Sequence, residues 1–579
     1  MNMQILNQVY DVAAQCFINS LIRETKDWYV EQAPHAHDPA ALIIPLSPSR
    51  TLRLPLIYFS ATQHHRYRFP AQLVSDGSVR DIDFPTLVST LLEKPDIVGH
   101  LPDNVLSSFR QRVLESHRHT HQAIAQRLDW PALRRKPLTF AQAEQGLLVG
   151  HAFHPAPKSH EPFNQTQAQR YLPDFAAHFP LRWFAVAKEQ IGGESLGISL
   201  QQRLMRFAVE NAPELIGHFT DEVWLLPMHP WQADYLLQQR GCQQLMRNGL
   251  LRDMGEAGEH WLPTTSSRSL YCPTSRDMIK FSLSVRLTNS IRTLSIKELK
   301  RGMRLARLGQ TSRWQTLQAR YPTFRVMQED GWAGLRNLDG EIENESLFAL
   351  RNNLLFGDAG SQTNVLVTLT QAAPDGGDSL LVAAVRRLAV RLSMPPARAA
   401  QVWLSAYCQH VLAPLFGAEA DYGLVLLAHQ QNILVEMKHD LPIGMLYRDC
   451  QGSGFTQQAQ AWLAEIGEGE AENRFTTQQL LRYFPYYLLV NSTLAVTAAL
   501  AAAGFGNEQQ LMTQVRSALA ELRATALTTD CLDYVLDNPV WNCKGNFFCY
   551  LHDHNENTIV DPAVIYFDFP NPLLTQETI

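Results

Sequence analysis

The segment from Trp261 to Arg292 most constrains what this chain can fold into and bind. It concentrates cations and hydroxyls in a stretch whose pattern predicts the interior of a strand or a helix. Residues 280–292 have the apolar pattern of a strand or a buried helix, so several of the cations would be partly buried. A buried cation needs a partner, either an anionic ligand or an acidic side chain elsewhere in the chain. The residues alone leave both readings open. The cationic residues are Arg268, Lys280, Arg286 and Arg292, with Arg276 between them.

A second polar constellation lies between residues 422 and 451. His429 follows an apolar run predicted as a buried strand, Asn432 comes three residues later, and Asp449 follows a further strand. An asparagine and an aspartate so placed resemble the residues of protein kinases that hold magnesium under the nucleotide phosphates. The catalytic aspartate of a kinase is missing, because Gln430 and Gln431 occupy that stretch. The pattern therefore favours a nucleotide–magnesium cradle without a phosphoryl-transfer base, although a structural histidine loop is the alternative.

Two further motifs complete a set of four in the chain. Residues 150–160 read GHAFHPAPKSH, and residues 229–232 read HPWQ. Together with residues 261–292 and the His429–Asp449 region, they resemble the IucA/IucC family of NRPS-independent siderophore synthetases in order and spacing, over nearly the whole chain. Each motif alone is moderately specific, whereas four in register are strong.

The resemblance implies an α+β protein shaped like an open hand. Its parts would be a thumb at residues 1–149, fingers at 150–373 and a kinase-like palm at 374–579. It implies an ATP-dependent, Mg²⁺-requiring ligase that adenylates citrate and passes the citryl group to an amine. The similarity is closest to members whose acceptor is N6-acetyl-N6-hydroxylysine. Family members commonly form dimers or larger assemblies, so a homo-oligomer is expected.

The resemblance also implies roles for particular residues. Thr288, Arg292 and His429 would be catalytic, where citrate and the α-phosphate meet. Lys544, in an aromatic strand near the end, would also reach citrate. Asn432 and Asp449 would serve nucleotide and metal. The residues expected to hold ATP phosphates are His154, Lys158, Ser266, Arg268, Ser269 and Lys280.

The chain departs from the family pattern at two positions. His160 replaces the usual arginine two residues after the motif lysine, and Leu427 replaces an acid often found before the loop histidine. The first change would weaken a phosphate contact. The second argues against any metal site that needs a third carboxylate, because position 427 supplies none. For Arg286, a structural ion pair is as good a reading as a ligand contact.

Composition excludes several other classes of protein. A chain of 579 residues needs more than one core, and its formal net charge of −6 argues against nucleic acid as the main partner. Its eight cysteines contain no CxxC pair, which is typical of reduced thiols in a cytoplasmic protein. The N-terminus lacks the pattern of a signal peptide. The most apolar run, residues 494–505, is too short to cross a membrane and is predicted as a buried helix.

The apolar periodicity also predicts the main elements. The basic helix at 295–308 is interpreted as a solvated face. Strands are expected within 42–76 and at 223–228, 279–287, 422–428, 432–437 and 443–447, and the aromatic stretch 541–568 is read as strand-like. Helices are expected at 10–27, 103–128, 139–149, 199–211, 231–246, 295–308, 379–393 and 398–416, and over most of 478–526.

The sequence allows three alternatives to this function. Within the family, the enzyme could catalyse a second condensation on an already mono-citrylated substrate. The His429–Asp449 pattern alone would also allow a kinase-like phosphotransferase. A non-enzymatic scaffold or ligand-binding protein is the third alternative, and the intact cationic set at 266–292 speaks against it.

Overall fold

A computed structural model describes residues 9–32, 39–288, 290–468, 471–554, 559 and 561–574. Helices and strands are mixed along the chain, as the predicted α+β class requires. Most predicted elements are present, and the strand Val223–Met228 has the predicted bounds. Two predicted helices differ from expectation: 231–246 is divided into Pro230–Leu237 and Arg240–Arg247, and 139–149 shortens to Phe140–Gln145.

The N-terminal part consists of an antiparallel sheet covered by helices Val12–Glu24 and Asp103–Gln126. Helix Val12–Glu24 begins at Asp11, whose carboxylate accepts a hydrogen bond from the backbone N–H of Ala14. Phe17, Leu52 and Phe109 lie in the core between sheet and helices. The main strands, in spatial order, are Tyr29–Glu31, Ala41–Ser47, Arg50–Tyr58, Ala71–Ser75 and Ser78–Ile82.

The middle of the chain forms an eight-stranded antiparallel sheet that carries the cationic segment. Its own core includes Trp183, Trp261 and Phe348. A small antiparallel ribbon adjoins it, formed by His160–Glu161, Leu283–Leu287 and Ser290–Arg292. The large sheet has the spatial order Val223–Met228, Phe179–Ala187, Leu251–Pro263, Ser269–Tyr271, Asp277–Phe281, Phe348–Asn352, Glu329–Leu335 and Ile191–Ser195.

The C-terminal part combines helices with a four-stranded sheet. In that sheet Phe324–Val326 runs parallel to Leu441–Tyr447, which pairs in turn with Ile433–Lys438, and Thr363–Val365 lies at the other edge. Two short strand pairs, Leu424–Leu426 with Ser453–Phe455 and Val540–Lys544 with Tyr566–Pro570, lie outside it. The larger helical segments are Leu380–Leu392, Pro396–Tyr407, Ala413–Tyr422, Thr477–Pro485, Leu494–Ala502, Glu508–Arg523 and Asp530–Asp537.

The apolar run at 494–505 belongs to a longer helix than the sequence suggests. Residues Thr477–Ala502 form one 26-residue helical segment that is long and apolar enough to cross a membrane. However, 94% of its apolar window is buried inside the protein, as expected for a core helix. The length expectation was therefore wrong for the whole helix, and the expectation of burial is confirmed.

The aromatic C-terminal stretch corrects another prediction. Residues 541–568 were expected to be strand-like, but Phe547–Leu551 is helical and packs into the N-terminal core against Phe17 and Phe109. The carboxylate of Glu24 accepts the backbone N–H groups of Asn546, Phe547 and Phe548 at 2.5, 2.6 and 3.0 Å. The two ends of the chain thus share one core. The boundaries at 149/150 and 373/374 stay a prediction.

The basic helix Ile296–Leu308 is solvated only in part, whereas its composition predicted a solvated face. Arg301 contacts Glu472 at 2.9 Å, and Arg307 contacts Glu468 at 2.8 Å. Arg304 is buried and donates to the side-chain oxygen of Asn473 at 2.8 Å. Acidic residues distant in sequence therefore neutralise this face, whereas Lys300 is exposed to solvent.

Candidate functional site

A cavity of about 390 Å³ collects the residues predicted to bind ligands. It lies where the eight-stranded sheet, the small ribbon, the His429 loop and the end of strand Val540–Lys544 meet. The predicted site residues that line it are Lys158, Ser266, Arg268, Ser269, Lys280, Thr288, Arg292, His429, Asn432, Asp449 and Lys544.

The hydroxyl-rich segment forms the turn between two neighbouring strands of the large sheet. Strand Leu251–Pro263 ends before the turn, and Ser269–Tyr271 begins after it. Ser267 adopts a left-handed backbone with φ of 61°, and the hydroxyl of Ser266 accepts the N–H of Ser269 at 3.2 Å. Thr265, Ser266, Ser267 and Ser269 of this turn line the cavity, and their hydroxyls are groups that can hydrogen-bond to phosphate oxygens.

Arg268 joins this turn to the ribbon that carries Arg292. Its Nη1 donates to the backbone carbonyl of Arg292 at 2.9 Å. Arg292 in turn donates through Nη2 to the hydroxyl of Thr288 at 2.9 Å and to the carbonyl of Leu287 at 3.0 Å. Thr288 has a φ of 57°, so the ribbon turns sharply there. Two guanidinium groups and one hydroxyl are thereby held at the same wall of the cavity.

Lys280 connects the cationic segment to Asp449. Its Nζ lies 2.6 Å from Oδ1 of Asp449 and 2.8 Å from Oε1 of Gln451, and its side chain is only 4% exposed. Asp449 has a φ of 79°, and its Oδ2 accepts the side-chain N–H of Asn432 at 3.3 Å. Burial acts to raise the pKa of Asp449, but Lys280, Arg351 and Arg268 outweigh it and hold that pKa well below its usual range. The carboxylate is therefore ionised.

His429 projects from the loop between strands Leu424–Leu426 and Ile433–Lys438. Its Nδ1 accepts the backbone N–H of Gln431 at 3.2 Å, so the neutral tautomer carries its proton on Nε2. Burial, with Arg448, Arg292 and Lys544, lowers the pKa of His429 to about 4 against the opposing effect of Asp449. At neutral pH this imidazole is a hydrogen-bond donor without charge.

The loop at residues 150–160 differs in one respect from the prediction. Lys158 lines the cavity and pairs with Asp174, and its Nζ also donates to the carbonyl of Leu147 at 2.6 Å. His154, expected to close over phosphates, is instead 2% exposed, outside the cavity lining, and stacks edge-on against Tyr550. His151 of the same motif lines the cavity in its place.

The two departures from the family pattern lie at different distances from the site. His160 lines the cavity, with its ring 4.1 Å from that of His119, and burial lowers the pKa of His160 to about 4. A neutral imidazole therefore stands where an arginine was expected. Leu427 packs against the large C-terminal core and leaves Asp449 without a carboxylate from that position.

A motif residue also serves as a support. Gln232 of the HPWQ segment donates to the hydroxyl of Ser284 and the carbonyl of Glu345, both at 3.0 Å, and accepts the N–H of Ser284 at 2.7 Å. It thereby fixes the strand that leads to Thr288.

Arg286 pairs with Asp553 at 2.6 Å and is outside the cavity lining, which favours the structural reading of Arg286.

Several residues that line the cavity belong to none of the predicted sites. Arg351 pairs with Glu329 at 2.6 Å, while Arg448 pairs with buried Glu144 and donates to the hydroxyl of Thr265 at 2.9 Å. Arg448 immediately precedes Asp449, and His151 stands inside a recognised motif, so those two could have been found. The others depend on the fold: Tyr486, Tyr487 and Asn491 reach the cavity from the long helix, and Asn546 reaches it from the start of helix Phe547–Leu551.

The lining suits a magnesium ion only in part. Among the residues that the structure describes around the cavity, Asp174 and Asp449 are the carboxylates, and Asp174 is committed to Lys158. Asp449 with the amide of Asn432 offers two oxygen donors. Mg²⁺ typically takes one or two protein carboxylates and completes its shell with phosphate oxygens and water, so this donor set fits an ion delivered with a nucleotide.

Known proteins resemble this chain over nearly its whole length. The profile described as IucA / IucC family matches residues 139–371, and one described as ferric iron reductase FhuF-like transporter matches residues 401–559. An N(2)-citryl-N(6)-acetyl-N(6)-hydroxylysine synthase from Escherichia coli is 64% identical over 568 residues, covering 98% of both chains. A Vibrio mimicus protein of the same name is 39% identical, covering 97% of this chain and 95% of its own.

A solved structure of a relative also resembles this chain. ATP-bound aerobactin synthetase IucA from a hypervirulent pathotype of Klebsiella pneumoniae superposes with a TM-score of 0.94 at 66% identity, covering 98% of this chain and 100% of that one. Sequence identity and fold therefore agree over 98% of this chain, and this protein belongs to the IucA/IucC family.

Proposed function

We propose that this protein is an ATP-dependent acid–amine ligase of siderophore biosynthesis. It would adenylate citrate and condense it with the α-amine of N6-acetyl-N6-hydroxylysine, giving N2-citryl-N6-acetyl-N6-hydroxylysine, AMP and pyrophosphate. The observation that carries this proposal is the single cavity in which Arg268, Lys280, Arg292 and His429 converge. The relatives named for this product and the ATP-bound relative support it.

The reaction would proceed in two displacements. A citrate carboxylate oxygen attacks the α-phosphorus of ATP, the bond to the β-phosphate oxygen breaks, and pyrophosphate leaves. The acceptor amine then attacks the citryl carbonyl, loses a proton, and AMP leaves with the bonding electron pair. Both steps need charge neutralisation and close placement of reactants rather than a protein nucleophile. The cavity supplies cations and hydroxyls of the required kind.

The geometry supports different roles for different residues of the cavity lining. Ser266, Arg268 and Ser269 of the turn, with Lys158 and Lys280, would hold phosphate oxygens. Arg292, the Thr288 hydroxyl and the Nε2–H of His429 would meet the citrate carboxylate and the α-phosphate, and Lys544 would hold another citrate carboxylate. Asp449 and Asn432 would carry the Mg²⁺, which neutralises phosphate charge when it is bound.

We further propose the open-hand arrangement of thumb (1–149), fingers (150–373) and palm (374–579) as the functional description of the chain. The loop and hairpin that deliver His429, Asn432 and Asp449 support a kinase-like palm, since they bring an amide and a carboxylate to one point. A homo-oligomer and a cytoplasmic location complete the proposal by family resemblance.

The nucleotide product separates this proposal from a phosphotransferase. Purified protein with ATP, Mg²⁺ and acceptor would be offered citrate, 2-oxoglutarate or succinate in turn, and nucleotides would be resolved by chromatography. We expect AMP and pyrophosphate, formed fastest with citrate. ADP as the main product would reject the ligase and favour the phosphotransferase, and absence of turnover with all three acids would favour the binding-protein alternative.

A further inference from the structure

Three metal-ligating side chains meet away from the cavity, where helix Val12–Glu24 begins against the middle of helix Asp103–Gln126. His117 and His121 are four residues apart and so lie on one face of the longer helix. Asp11 immediately precedes the other helix. Oδ2 of Asp11 lies 2.7 Å from Nε2 of His117, Oδ1 lies 3.4 Å from Nε2 of His121, and the two Nε2 atoms are 3.1 Å apart.

We propose that Asp11, His117 and His121 bind a divalent first-row transition ion of the Zn²⁺ class. Bonds of 2.0–2.1 Å in a tetrahedral shell place ligand atoms about 3.3 Å apart. The three separations, 2.7, 3.1 and 3.4 Å, bracket that distance. The two Nε2 atoms and the carboxylate of Asp11 therefore already surround one point, and water would complete the shell.

Hydrogen bonding alone accounts poorly for this cluster. A ring nitrogen offers either one proton or one lone pair, yet Nε2 of His117 has two close partners, the Asp11 carboxylate and Nε2 of His121. It cannot form a linear hydrogen bond with both. A cation at the centre removes the conflict, because it accepts a lone pair from all three ligands at once.

The surroundings resemble the support that metal ligands usually have. The ring of His117 stacks on Phe84 with centroids 4.2 Å apart, and Oδ1 of Asp11 also accepts the N–H of Ala14 at 2.9 Å. Two imidazoles and one carboxylate favour Zn²⁺, Co²⁺ or Ni²⁺ over Mg²⁺, which prefers oxygen ligands. The cluster is thus chemically distinct from the Asp449–Asn432 pair.

The site would act as a structural clamp, since none of its three residues lines the cavity. It would join the start of helix Val12–Glu24 to helix Asp103–Gln126. The longer helix also carries Ser116, whose hydroxyl accepts the N–H of Lys158 at 2.9 Å, and His119, which lies 3.5 Å from Asp174. The clamp would therefore stabilise the element against which the Lys158 loop rests.

Metal binding by the full chain tests the proposal directly. Untagged protein, stripped with chelator, would be titrated with Zn²⁺ by calorimetry and with Co²⁺ by visible absorption. We expect one site per chain, with affinity lowered more than about 100-fold in His117→Ala and in His121→Ala. His178→Ala, which changes an exposed histidine whose ring lies 5.4 Å from that of His260, is the matched control and should bind as the wild type.

A second measurement guards against misfolded variants. Zn²⁺ should raise the melting temperature of the wild type and of His178→Ala, but not that of His121→Ala, while all three show the same far-ultraviolet circular dichroism. Equal Zn²⁺ affinity in His121→Ala and wild type would overturn the proposal. Loss of the site in His552→Ala would do the same, because it would assign binding to the His552–His554 pair, whose rings lie 5.5 Å apart.

Discussion

The ammonium of Lys280 lies 2.6 Å from the carboxylate of Asp449, although the two residues are 169 positions apart. Lys280 comes from a fully buried strand of the large sheet, and Asp449 follows the last strand of the smaller C-terminal sheet. This contact joins the cationic segment to the His429–Asn432–Asp449 set. Two motifs that the sequence presents separately therefore form one site.

Replacing Lys280 tests this junction. Lys280→Met keeps most of the side-chain volume but removes the charge, so phosphate oxygens would lose a charge-assisted contact of about 1.5–3 kcal/mol. We expect kcat/KM for ATP to fall roughly 10- to 100-fold, with Lys300→Met at the exposed position as the control. Steady-state pyrophosphate release measures both variants. Wild-type kcat/KM in a folded Lys280→Met protein would remove Lys280 from the phosphate site.

Arg292 and Arg268 are expected to matter more for turnover than for folding. Arg292→Ala removes the guanidinium placed beside Thr288, and Arg268→Ala removes its neighbour, so each should lower kcat by about 100-fold or more where negative charge develops. Arg286→Ala, in the same ribbon but paired with Asp553, should retain near-normal kcat. Pyrophosphate release and melting temperature are measured together. Unfolded Arg292→Ala, or full activity in it, would contradict the assignment.

The free energy of unfolding should decrease as the pH falls below about 6.5, the ordinary histidine pKa. Burial lowers the pKa of His429 and His160 to about 4 and that of His229 to about 3. These folded-state values lie below the unfolded value, so the unfolded chain takes up protons first as the pH falls from 6.5. Stability is therefore lost down to about pH 4 for His429 and His160 and down to about pH 3 for His229. Urea unfolding at pH 8, 7, 6 and 5 measures the loss.

His229 provides the matched variant for the pH experiment. Within the described part of the chain neither of its ring nitrogens has a hydrogen-bond partner, and Tyr171, Phe179 and Phe281 surround it. His229→Phe removes one titrating group, so stability should depend less steeply on pH, by up to about 1.4 kcal/mol per pH unit. An unchanged slope would mean that His229 is already protonated in the folded protein.

Much of this site could be predicted from sequence because phosphate and carboxylate recognition needs particular residue types. The family resemblance predicts nucleotide contacts for Ser266, Arg268, Ser269, Lys280 and Asp449, and the fold brings these five residues to one cavity. The role of Arg286 could not be decided from the sequence. A cation next to a binding residue gives the same sequence pattern whether its partner is a ligand or an acidic side chain such as Asp553. The HPWQ segment was recognised, yet the supporting role of Gln232 depends on a strand distant in sequence.

The remaining differences have tertiary causes. Residues 547–551 are aromatic enough for a strand, but Glu24 supplies the acceptor that a helix start needs, and the N-terminal core receives Phe547. His154 lies outside the cavity lining, where its Nδ1 accepts the N–H of Ala156 and its ring packs on Tyr550. Periodicity within a segment carries no information about partners hundreds of residues away.

Analysis of the product formed from ATP, citrate and purified acceptors tests the central claim most directly. Mass spectrometry should detect citryl-N6-acetyl-N6-hydroxylysine joined through the α-amine, with one AMP released per product. Unmodified lysine should react slowly, because acceptor-site groups shaped for the hydroxamate would be left unpaired. Equal rates with lysine, or turnover only with a pre-formed mono-citryl acceptor, would contradict the account.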